Sequence, residues 1–141
     1  MEQFNQITAE LFAHLYINFP VQQAFTYERW GCEFPDDYWE APNSPEAKGV
    51  MAKQAIMDGT FKFLNDSGYI NYTRASGGGY LNVSLTEKAL LSLKLHPKSL
   101  TVEETFGDRI VSAVKDGAEE KVKSALSAFM TAALTGFGLG G

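Results

Sequence analysis

The stretch Phe63-Leu64-Asn65-Asp66-Ser67-Gly68-Tyr69-Ile70 decides the fold. Its first residues close an apolar pattern of helical spacing, with Val50, Met57, Phe61 and Leu64 on one face and Ile56 and Phe63 beside it. Asn65-Asp66-Ser67 breaks that pattern, and Gly68 suits the left-handed position that ends a helix. Tyr69 to Arg74 and Tyr80 to Leu85 then read as strands by aromatic and β-branched content and partial alternation. The glycine-rich Ala75-Ser76-Gly77-Gly78-Gly79 between them reads as the turn of a hairpin. Upstream, Ser44-Pro45-Glu46 marks the helix start: serine caps, proline fits the first helical position, and glutamate meets the positive end of the helix dipole.

Working outward, Phe4, Ile7, Leu11, Phe12, Leu15 and Tyr16 predict a first helix over residues 3–18, stopped by Phe19-Pro20. Residues 20–44 read as an irregular, acidic and aromatic insert with room for a short helix around Val21 to Trp30. Its aromatics, Phe25, Tyr27, Trp30, Phe34, Tyr38 and Trp39, are expected to anchor it to the body. After the hairpin, Thr86 caps a helix with Leu90, Leu91, Leu93 and Leu95 inside, closed by Pro97. Thr101 with Glu104 predicts a capping box for a last, long amphipathic helix reaching about residue 135. Its stripe runs through Phe106, Ile110, Val114, Ala118, Val122, Leu126, Met130 and Leu134, broadened by Val111 and Phe129, with Gly107 or Gly117 as a joint. A glycine-rich tail ends in Gly140-Gly141, read as a frayed end.

The order helix, insert, helix, hairpin, helix resembles the winged-helix superfamily. The resemblance rests on Phe63 to Ile70, the Gly77-Gly78-Gly79 tip and Val83-Ser84-Leu85-Thr86-Glu87-Lys88-Ala89-Leu90, and covers residues 1–97. Ala89 stands where such sequences usually carry glycine, and the insert replaces a short second helix. The Leu15-Tyr16-Ile17-Asn18-Phe19-Pro20 opening also looks like that of a group of uncharacterised bacterial winged-helix proteins with a C-terminal amphipathic helix. The resemblance implies an α+β winged-helix domain over 1–98, followed by the C-terminal helix and tail over 99–141. It also implies a recognition helix before the hairpin, with the hairpin as a wing.

Composition narrows the function. The 141 residues carry a formal net charge of −5, unlike a strongly basic nucleic-acid binder. One cysteine, Cys32, excludes an internal disulfide, and the first residues lack a basic, apolar leader, so a cytoplasmic location is expected. The charge-free run 124–141 is short and rich in small residues, which argues against a membrane span. His14, His96 and Cys32 lack a metal-ligand spacing, and Gly77-Gly78-Gly79 is not followed by the Lys-Ser of a phosphate loop. No catalytic, metal or cofactor motif is present, so a non-enzyme is expected.

Two function classes remain. Residues 28–46 hold six carboxylates against Arg29, whereas 47–100 hold seven basic residues against three acidic ones. The basic half fits DNA binding: Lys48, Lys53 and Lys62 on phosphates, Gln54 and Thr60 near base edges, Arg74 at the wing. The other class is a non-catalytic interaction module that makes protein contacts and self-associates. Its candidate partner residues are Trp30, Asp36, Asp37, Tyr38 and Trp39 in the insert and Ile110, Val114, Val122, Leu126 and Phe129 on the last helix. The acidic total and the scarcity of arginine favour the second class; the habits of the fold favour the first.

Overall fold

The computed structural model describes residues 1–97 and 104–134. The chain is α+β, with five helices and one three-stranded antiparallel sheet among the described residues. Helix α1 (Glu2–Ile17) leads into β1 (Gln23–Phe25) and a 3-10 turn (Tyr27–Trp30). Then come α2 (Pro45–Asp66), β2 (Ile70–Arg74), β3 (Tyr80–Leu85), α3 (Glu87–Leu93), α4 (Phe106–Asp116) and α5 (Glu119–Leu134).

Local chemistry sets most boundaries. The Ser44 hydroxyl accepts from the Ala47 amide, with Pro45 in the first helical turn. Gly68 takes a φ of 83°, turning the chain from α2 into the hairpin. Thr86 caps α3 by accepting from the Ala89 amide. Strand β3 bulges at Asn82, which has a φ of 53°, a conformation asparagine tolerates.

Several expectations need correction. A strand, β1, lies inside the stretch read as irregular; it pairs with β3, so β3 is central in the order β1-β3-β2. Three residues are too short for a periodic signal, and their pairing is non-local. The expected helix around Val21 to Trp30 is reduced to the 3-10 turn. Of the leucines placed inside the helix after the hairpin, only Leu93 is fully buried; Leu91 and Leu95 are exposed. Ile56 and Phe63 lie on the solvent side of α2.

The long last helix is a helical hairpin. Gly117, at a φ of 72°, ends α4, and α5 returns against it. The capping box at the start of α4 is Thr105 with Asp108; Thr101 lies outside the described residues, as do the 98 boundary and the Gly140-Gly141 end. The stripe predicted for one helix is divided between two, and both pack on α1. Phe129 meets Phe12, Tyr69 and Phe106 at ring-centroid distances of 5.5, 6.1 and 5.8 Å. Residues before 98 and after 103 therefore share one hydrophobic core.

Two substitutions test this packing by chemical denaturation. A side chain at Gly107 would place its Cβ 2.5 Å from the Tyr16 ring, where α4 crosses α1. Gly107→Ala is expected to cost about 2 kcal/mol of stability. The Thr8 hydroxyl is buried with no hydrogen-bond partner among the described residues. Thr8→Val is expected to be neutral or to stabilise by up to about 1 kcal/mol, since it removes an unsatisfied polar atom without changing the shape of the side chain.

Candidate functional site

The residues nominated for DNA contact occupy different environments. Thr60 is buried, and its hydroxyl donates to the Ile56 carbonyl at 2.7 Å. The Gln54 side-chain amide donates to the Cys32 carbonyl at 2.6 Å, tying α2 to the insert. Neither is aimed at a base edge, because both lie on the core side of α2. Lys62 pairs with Asp66 one turn on at 2.8 Å. Lys48 and Lys53 are exposed and form no ion pair with a described residue.

Arg74 is held in a cluster at the turn end of the hairpin, where it pairs with Tyr80. Asp58, midway along α2, accepts at one oxygen from Arg74 (2.6 Å), from the Tyr27 hydroxyl (3.0 Å) and from the Tyr80 hydroxyl. Arg74 also donates to the Tyr27 oxygen at 3.1 Å and lies 4.8 Å over the Tyr80 ring. Tyr80 stacks face to face on Phe61 at 3.7 Å. The hairpin turn closes over Tyr27 so tightly that a Cβ on Gly78 would sit 2.6 Å from its ring. One carboxylate thus ties α2, the 3-10 turn and both long strands together. Arg74 serves as a clamp here rather than as a free finger for a minor groove.

The insert divides into two parts. Phe25 is buried, and Trp30 stacks on it at 5.7 Å while its indole N–H donates to the Glu10 carboxylate. These two rings anchor the insert to the core, as does Tyr27. Phe34, Tyr38 and Trp39 instead form an outer ledge, with ring centroids 4.2 and 5.2 Å apart along the row. Trp39 is 88% exposed, and Asp36 and Asp37 beside it are exposed too.

The candidate partner stripe of the last helix is absorbed by the chain itself. Ile110, Val122, Leu126 and Phe129 are buried, and Val114 packs against the same core. They cannot present an apolar face to another chain while α4 and α5 rest on α1. Cys32 is also buried; its thiol donates to the Trp30 carbonyl at 3.4 Å, and burial pushes its pKa upward, against thiolate formation. His14 hydrogen-bonds Gln23 at 3.0 Å. No group of three metal-binding side chains occurs among the described residues.

Sequence reading missed the solvent face of α2. Ala52, Ala55, Ile56, Gly59 and Phe63 are all exposed, with Ile56 at 40% and Phe63 at 49%. A signal was present: 52, 56, 59 and 63 follow helical spacing, forming a second apolar stripe opposite Met57, Phe61 and Leu64. Phe63 continues this face into an open apolar groove with Phe4, Leu126 and Met130.

No family model matches this chain, no curated protein matches its sequence, and no solved structure matches it. What fold and surface define is an α+β protein whose most solvent-directed helix carries an apolar centre. No described helix is long and apolar enough to cross a membrane.

The Tyr80 phenol is held well above its ordinary value, first by burial and then by the Asp58 carboxylate. A raised folded-state pKa stabilises fully below the unfolded value and is lost as pH rises past it. Stability should therefore fall above about pH 10. Tyr80→Phe should cost about 1.5 kcal/mol at neutral pH through the lost hydrogen bond, and should flatten the alkaline decline in a denaturation series.

Proposed function

We propose that this chain is a winged-helix-like interaction module with no catalytic role, working through protein–protein contacts and self-association. Support for the fold comes from the element order and from a hairpin that follows α2 and pairs with a short strand after α1. The observation that carries the function is the face of α2 in the recognition-helix position. Its centre is Ala52, Ala55, Ile56 and Gly59, which offers apolar surface and no hydrogen-bonding side chain for a base edge. An exposed apolar helix face rimmed by charge is the pattern of a protein contact. The Phe34-Tyr38-Trp39 ledge with Asp36 and Asp37 supplies a second contact surface of acidic character.

DNA binding is the alternative. It is favoured by Lys48 and Lys53, two exposed lysines without an ion pair among the described residues, on the helix preceding the wing. Anisotropy of a labelled random duplex of about 30 base pairs, titrated at low and moderate salt, separates the two, because phosphate contacts release counterions. No binding at low salt is expected. Micromolar binding that weakens steeply with salt would overturn the protein-contact reading in favour of the alternative.

A further inference from the structure

We infer that the partner on the α2 face is a second copy of this chain, bound with the two α2 helices antiparallel. This rests on the protein-contact reading above and names its partner. At 100° per residue, Lys48, Ala52, Ile56, Gly59, Phe63 and Asp66 fall within an arc of about 80° on the solvent side. Among them are two bulky apolar side chains, two small residues, one cation and one anion.

Their spacing is self-complementary. With a two-fold axis between Ile56 and Gly59, Ile56 of one copy lies over Gly59 of the other. Gly59 leaves its backbone open to close approach: a Cβ there would meet nothing within 4 Å. In the same register Phe63 lies over Ala52, and Lys48 falls one residue from Asp66, within reach of a long side chain. A two-fold contact makes each pairing occur twice. The parallel arrangement has no such match, since it sets Lys48 against Lys48, Phe63 against Phe63 and Asp66 against Asp66. The Lys62 pairing of Asp66 is exposed on both sides, at 73% and 58%, and leaves that carboxylate accessible. Size and charge thus agree on one register, which a foreign partner would have no reason to share. Self-association runs through α2 rather than through the stripe of the C-terminal helices, whose Ile110, Val122, Leu126 and Phe129 are buried against α1 and each other.

An interface of one helix per copy is small, so association at roughly micromolar concentrations is expected. Sedimentation velocity of the full chain tests it. The wild type should pass from 15.5 kDa to twice that mass as concentration rises. Lys48→Glu and Asp66→Lys should each weaken the dimer by about tenfold, and the double reversal should restore it. Both side chains are exposed, so neither change should disturb folding, which circular dichroism checks. Ile56→Glu should abolish the dimer. A monomer at all concentrations up to about 200 µM, or a dimer indifferent to both charge reversals, would overturn the inference. A monomer that also ignores duplex DNA would overturn the second copy alone and leave the protein-contact reading standing; salt-sensitive duplex binding would overturn that reading itself.

Discussion

The structure depends on α1 being covered on nearly every side. Ile7, Thr8, Ala9, Leu11, Phe12, Ala13 and Leu15 are all buried, and three consecutive buried positions cannot lie on one face of a helix. A helix with that surface has to be enclosed. The sheet and α2 cover part of it, and α4 and α5 cover the rest. The C-terminal hairpin is therefore part of the core, with Phe129 wedged among Phe12, Tyr69 and Phe106. This enclosure is what buries Ile110, Val122, Leu126 and Phe129 of the last helices within the chain.

A second constraint sets the other end of the molecule. The Asp58 carboxylate collects donors from three separate segments, and Tyr80 and Phe61 stack beneath it. Hydrogen bonds to an ionised acceptor are stronger than neutral ones, and here they fix the hairpin relative to α2. The same arrangement takes Arg74 and Tyr27 out of circulation. What α2 leaves to solvent is the opposite face, whose centre at Ala52, Ala55, Ile56 and Gly59 is small and apolar.

Much of this was legible in the residues. The start of α2 at Ser44-Pro45, its end at Gly68, the hairpin and the cap at Thr86 were read from local chemistry, and local chemistry is what sets them. The insert was read as anchored by its aromatics; Phe25 and Trp30 do anchor it, while Trp39 stands in solvent. Composition cannot separate the two groups, because every ring has the same incentive to be buried and only some can reach the core. Gln54, Thr60 and Arg74 looked available for DNA because their side chains are polar, yet each is held by a partner remote in sequence or by its own helix.

By itself, the sequence determined where α2 and the hairpin begin and end, the cap of α3, the absence of an internal disulfide and the division of charge between an acidic insert and a basic half. Those properties follow from capping groups, glycines and residue counts, which act over a few positions. Tertiary structure alone decided that β1 joins the sheet beside β3, that Gly117 folds the last amphipathic stripe back onto α1, and which apolar residues stay outside. These are outcomes of competition for a limited core. An apolar stripe states that burial is favourable, but only the packed chain settles which stripe is buried and which, like Ile56 and Phe63, stays exposed.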